Sequence, residues 1–190
     1  MTGRTGLVTL LAFGIAIGAC GKKPEPEAPA PPPPTTRPAT RDTAAENARL
    51  RAEAEERERA AREAAAAEVR ATLAEMVFFD YDRAEIRFDA QDVLNRKAVA
   101  LRANPNVGLR IDGHADERGT VEYNLALSLR RANSAREYLT SFGIEVSRLD
   151  VAGYGEERPL DSGSNEDAWS RNRRAEFQIT RGGDNLVPAR

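Results

Sequence analysis

Eight of the 11 prolines fall between Pro24 and Pro38, and Pro31 to Pro34 run without a break. Proline fixes φ and lacks a backbone N–H, so neither a helix nor a sheet ladder can pass through such a stretch. Extended polyproline II is what remains, which makes this segment a semi-rigid spacer in preference to a docking motif. The spacer divides the chain into two parts of different character. On its N-terminal side, Arg4 opens a short positive region, and Leu7 to Gly18 is an apolar run of 12 residues. That run is short for a bilayer span and fits the apolar region of an export signal. A net charge of −2 and a pI of about 5.7 give no reason to expect a polyanion-binding surface, so nucleic acid is not expected as a partner. One cysteine excludes an internal disulfide, and one histidine beside it excludes the usual zinc ligand sets, so no metal and no cofactor are expected.

Thr43 to Glu75 is built from Ala, Glu and Arg without Gly, Pro or aromatic residues, and reads as a long helix. Glu53 with Arg57, Glu55 with Arg59 and Glu58 with Arg62 have the favourable i,i+4 order. Its large apolar residues are few (Leu50, Val69, Leu73), so the pattern favours a solvated single helix over an alanine-seam coiled coil. A spacer of about 22 residues at ~3.1 Å each reaches roughly 70 Å. A helix of about 33 residues at ~1.5 Å each adds roughly 50 Å. Together they could hold a folded domain on the order of 100 Å from an anchor.

The globular part spans residues 76–182, with 183–190 as a flexible C-terminal tail. Val77 to Phe79 reads as a strand. Asp89 is a candidate N-cap for a helix with Val93, Leu94, Ala98 and Leu101 on its apolar face, stopped by Asn104-Pro105. Val107, Leu109 and Ile111 alternate in a second strand. A helix from Glu122 to Phe142 carries the stripe Leu125, Leu129, Ala132, Leu139 and Phe142, with Gly143 as its stop. Leu149 and Val151 start a third strand, Glu166 to Arg171 a short helix, and Ala175, Phe177 and Ile179 a fourth strand. The order βαβαβ plus a last β strand predicts an α/β two-layer sandwich with helices on one sheet face.

The loop GHADERGTVEYN, Gly113 to Asn124, joins a strand end to a helix start. Ligand loops occupy that place in such folds, and a helix start offers free N–H groups. Asp116 supplies a carboxylate there, with Arg130, Arg131 and the sequence NRR at Asn172 to Arg174 close by in the predicted topology. Such a set could receive a zwitterion, carboxylate to ammonium and guanidinium to carboxylate. Equally, Asp116 and one arginine could pair with each other. His114 has no serine or cysteine partner in any motif, so it is read as bonding the loop or touching ligand, and no catalytic residue is assigned. Trp169 is expected to cover an edge of the core.

GHADERGTVEYN, SLRRAN (Ser128 to Asn133), YGEERP (Tyr154 to Pro159), NRRAEF (Asn172 to Phe177) and FFDYD (Phe78 to Asp82) are spread over about 105 residues. In them the chain resembles the OmpA-like peptidoglycan-binding domain family, and within it the peptidoglycan-associated lipoproteins. Ile17-Gly18-Ala19-Cys20 likewise resembles a lipobox, which implies removal of residues 1–19 and acylation of Cys20; Gly21 in place of aspartate implies the outer membrane, facing the periplasm. The domain resemblance implies that Asp116 and Arg131 grip the free amino-acid centre of meso-diaminopimelate in the peptidoglycan stem. It adds Phe79, Asp80 and Tyr81 in the first loop, with His114, Asn124 and Arg174 as further contacts. Asn124 could equally cap the helix and Arg174 brace the loop. The implied function is a non-enzymatic tether in the Tol–Pal system, with TolB and possibly other Tol proteins as partners. Two alternatives stand beside it: a wall-binding lipoprotein outside Tol–Pal, and an envelope scaffold driven by the 43–75 helix.

Overall fold

The computed structural model describes residues 42–189. The expected signal segment 1–19, Cys20 and the proline-rich linker to residue 41 lie outside the described residues. Helix α1 spans Thr43–Ala74, strand β1 Val77–Phe78, helix α2 Phe88–Ala103 and strand β2 Gly108–Gly113. Helix α3 spans Val121–Ser141, strand β3 Leu149–Gly153, helix α4 Glu166–Asn172 and strand β4 Arg174–Arg181, with a 3-10 turn at Val146–Arg148. The sheet order is β1-β4-β2-β3. β2 and β3 are parallel, and β4 runs antiparallel to both β1 and β2. This is the expected βαβαβ-β sandwich.

Leu109 and Ile111 of β2 and Ala175 and Phe177 of β4 turn one sheet face toward Leu94, Leu101, Ala132 and Leu139, which close the core. The opposite face is charged. Arg110 donates twice to Asp112, at 2.9 and 3.0 Å, and Arg174 donates to Glu176 at 2.7 Å. That period-2 division is the usual signature of a half-solvated sheet.

Four expectations are corrected. First, the domain does not begin at residue 76. Val69 and Leu73, at the end of α1, are buried in the core, and the boundary at 75/76 cuts through that packing. Lys97 of α2 is fully buried and donates Nζ to the carbonyls of Thr72 and Leu73 at 2.9 and 2.8 Å. It also lies 4.0 Å from the centroid of the Phe177 ring. A donor there satisfies the last carbonyls of a helix that has no basic residue in its own last turn. Burial draws Lys97 down to about 7, against the opposing charge of Glu75.

Second, segment 183–189 is no loose tail. Leu186 joins the core, and the Asn104 side chain accepts from Val187 N and donates to Val187 O, both at 2.9 Å. Third, α2 starts one residue ahead of Asp89. Its N-cap is Arg87, and Asp89 sits in the first turn, bound to Arg87 and to Ala90 N.

Fourth, of the expected α3 stripe only Ala132 and Leu139 face inward. Leu125, Leu129 and Phe142 are 49%, 42% and 41% exposed. The buried face is Asn124, Leu127, Ser128, Arg131, Ala132, Ala135 and Leu139. Three polar side chains point inward because the loops packed on this helix present main-chain groups that need partners.

Leu73→Ala should lower the stability of the chain by about 3 kcal/mol in urea denaturation, since it opens a cavity in a closed core. Leu50→Ala, on the exposed part of the same helix, should change it by less than about 0.5 kcal/mol.

Candidate functional site

Two glycines set how closely α3 lies on the sheet. A Cβ on Gly113 would stand 1.9 Å from the Ser128 carbonyl oxygen, and one on Gly153 would stand 2.8 Å from Ser128 Oγ. Without side chains there, the first half of α3 presses onto the ends of β2 and β3, beside the loops that leave them. Ser128 Oγ accepts from Gly155 N at 2.9 Å and fixes the loop after β3. Thr120 caps the helix, its side chain accepting from Tyr123 N. Asp82, the one described non-glycine residue at positive φ, carries the first loop round a tight corner. Its carboxylate accepts from the Tyr123 hydroxyl and ties that loop to α3.

These segments enclose a pocket of roughly 120 Å³ lined by Tyr81, Asp82, Asp116, Arg118, Tyr123, Asn124 and Arg131, among others. Asp116 and Arg131 both line it, but they are not paired. Arg131 has no exposed surface. Its Nε donates to Arg83 O at 2.8 Å, Nη1 to His114 O at 2.8 Å and Nη2 to Asp80 O at 3.1 Å. Burial draws its guanidinium down to about 10, so it remains a cation near neutral pH. Asp116 accepts from Arg118 at both oxygens, 2.7 and 3.2 Å, and from Arg173 at 3.2 Å. Burial pushes the Asp116 carboxyl up, but the hydrogen bonds from Arg118 and Arg173 together prevail and hold it below its ordinary value.

The other expected residues separate. Tyr81 lines the pocket. Asp80 contributes its carbonyl to Arg131, while its exposed carboxylate pairs with Arg87. Phe79 does not reach the pocket; its ring is buried in the core and its carbonyl accepts from Arg173. Asn124 does not cap α3. Buried, it donates to the carbonyls of Asp116 and Arg118 and to the Glu156 carboxylate, and so holds the binding loop. Arg174 is on the charged sheet face, bound to Glu176 and Arg158 O, away from the pocket. Arg173, the residue between α4 and β4, is the one that reaches Asp116.

His114 is buried on the charged side of the sheet, stacked on Tyr154 with ring centroids 5.5 Å apart. Its side chain neither bonds the loop nor lines the pocket. Both ring nitrogens lack a hydrogen-bond partner among the described residues, and Nε2 lies 3.8 Å from Glu176. Burial, helped by Arg174, draws it down to about 4.

Sequence reasoning missed Arg118 and the role of Trp169, and within NRR it singled out Arg174 where Arg173 is the one that meets Asp116. Arg118 is two residues from Asp116 in the same loop, so its pairing was readable from spacing. Arg173 is 57 positions away from Asp116; the NRR motif pointed to the segment but not to which of its two arginines turns toward the carboxylate. Trp169 does not merely cover the core. Its Nε1 donates to Glu117 at 3.0 Å, and its ring lies 4.1 Å from the Arg118 guanidinium. No serine, cysteine or histidine lines the pocket among the described residues. Among the described residues no cluster of three or more His, Cys, Asp or Glu could hold a metal, and no helix is long and apolar enough to cross a membrane. The arrangement offers an anion and a cation side by side in a space about the size of one amino-acid head group.

His114 generates a pH prediction. Its folded value near 4 lies below its ordinary 6.5, so the folded chain binds fewer protons in that interval. The contribution is complete above pH 6.5 and is lost as pH falls toward 4, up to about 3 kcal/mol. Urea midpoints between pH 7.5 and 4.5 should therefore fall more steeply for the wild-type chain than for His114→Phe, which keeps the stack and cannot titrate.

Residues 78–173 match the OmpA family. A peptidoglycan-associated lipoprotein of Rhizobium meliloti is 48% identical over 103 residues, covering 54% of this chain and 58% of that protein. One from Pseudomonas putida is 41% identical over 101 residues, covering 53% and 60%. The match thus spans less than two thirds of these relatives' own length. Among solved structures, the peptidoglycan-associated lipoprotein of Burkholderia pseudomallei is 36% identical with a TM-score of 0.54, over 55% of this chain and 88% of that one. The C-terminal domain of Helicobacter pylori MotB shares the fold at 18% identity and a TM-score of 0.52, over 56% and 84%. From its strand order to the loop motif at Asp116, this chain belongs to the OmpA family.

Proposed function

We propose that this chain is a non-enzymatic outer-membrane lipoprotein that binds peptidoglycan and tethers the membrane to the cell wall. One observation carries the reading: Asp116 and Arg131 line a single small pocket in an OmpA-family domain whose relatives are named peptidoglycan-associated lipoproteins. A carboxylate takes an ammonium and a guanidinium takes a carboxylate, so the pocket suits a free amino-acid centre. Meso-diaminopimelate carries such a centre at the end of its side chain, where lysine has an ammonium alone. A site needing both charges rejects the lysine-type stem, because it would leave Arg131 without its anion. Cys20, acylated, supplies the anchor in this reading, and several acyl chains make attachment durable. The finer proposal is membership of the Tol–Pal system with TolB as partner.

The test is co-sedimentation of the full chain with insoluble diaminopimelate-type peptidoglycan. Asp116→Asn keeps the shape and removes the charge, and should weaken binding at least about tenfold. Arg131→Lys is preferable to Arg131→Ala, because alanine would strip three main-chain carbonyls of their donor and loosen the loops. Circular dichroism checks that both variants are folded, and lysine-type peptidoglycan should not carry the protein down. A wild-type chain that stays in the supernatant overturns the reading. Co-purification with TolB decides between Tol–Pal and a wall-binding lipoprotein outside it.

A further inference from the structure

Neither charged group of the pocket faces solvent directly. Asp116 is 5% exposed at its side chain and Arg131 not at all. Asp116 is held on the outer side by Arg118, 29% exposed and lining the same pocket as Arg131, with its guanidinium between two aromatic rings, 4.0 Å from the centroid of Tyr81 and 4.1 Å from that of Trp169. Trp169 is itself held by the Glu117 carboxylate. The two cations on Asp116 are not equivalent. Arg173 is 7% exposed and is locked to Phe79 O and Glu166 as well, so it belongs to the frame. Arg118 reaches Asp116 from the solvent side, and a second carboxylate is near: Glu166 Oε2 lies 3.6 Å from its Nη1. A guanidinium released from Asp116 can thus turn to Glu166 while staying between the rings.

We infer that Arg118 is the specificity-determining plug of this pocket, occupying on Asp116 the place that a ligand's cationic group must take. The inference rests on the binding reading proposed above and adds how the site discriminates. A ligand without a cationic group cannot replace Arg118, since the exchange would leave a largely buried carboxylate short of a partner. A ligand with an ammonium replaces one cation by another, frees Arg118 toward Glu166 and uncovers Arg131 for its own carboxylate. The discrimination is made at the mouth of the pocket, before Arg131 is reached.

Trp169 is the only tryptophan of the chain, so its emission reports on the plug alone. The full chain is titrated with free meso-diaminopimelate, and separately with pimelate, which has the same carboxylates without the ammonium groups. Diaminopimelate should shift the Trp169 emission of the wild-type chain, and pimelate should not. Arg118→Ala should bind diaminopimelate about tenfold more tightly, the scale of one partly screened ion pair removed from the competition. Arg118→Lys, a cation without the two-pronged fork, should fall between the two and decides the matter if the alanine variant is unfolded. Wild-type binding with equal or weaker binding by the variants overturns the plug and leaves the tether reading standing. Failure of every folded protein to bind diaminopimelate overturns both.

Discussion

The Arg131 guanidinium reaches into the site from α3 and holds three carbonyls that belong to two different loops: those of Asp80 and Arg83 after β1, and that of His114 after β2. No backbone ladder joins these segments there. Main-chain groups withdrawn from water need partners, and a single planar fork supplies three donors at fixed angles. That fork sets the shape of the pocket. Tyr81 and Asp82 stand where they do because the carbonyls on either side of them are pinned. Asp116 stands above the same cation because His114, two residues earlier, is pinned as well. The residue that would meet a ligand's carboxylate also builds the wall around it.

The same solution recurs away from the site. Arg148 is buried and donates to the carbonyls of Leu101, Asn104 and Val107, at the end of α2. Lys97 does so at the end of α1. Each places a side-chain donor where the last turn of a helix leaves carbonyls unpaired. Lys97 matters most for how the molecule is laid out. It joins the last turn of the long charged helix to α2 and Phe177, so that helix enters the domain as part of its core. Its outer turns carry only solvated ion pairs such as Arg62 with Glu58, which add little to stability. Helix α1 is thus packed on the domain over its last turns and solvated over the rest.

Much of the fold was legible because it is written in local periodicity. The alternation through Leu109 and Ile111, the break at Asn104-Pro105 and the glycine after Phe142 each report a backbone preference that survives in isolation. The face of α3 was not legible for the opposite reason. Leu125 and Leu129 look like core and are exposed, while Asn124, Ser128 and Arg131 look like surface and are buried. Periodicity counts apolar residues, and this face is selected by hydrogen bonds to loops distant in sequence. Arg173 and Arg174 differ by one position. Only the turn from α4 into β4 decides which of them meets Asp116.

By itself the sequence determined the order of elements in the globular part and the family, because propensity, spacing and motif are properties of the chain as written. Tertiary structure decided which charges touch. It gave Asp116 to Arg118 and Arg173, sealed His114 away from the pocket, drew Leu73 and Leu186 into the core and set Trp169 over the loop. Those outcomes depend on segments tens of residues apart meeting in a space closed to water, where every buried polar group must find a partner and the nearest in sequence is seldom the nearest in space.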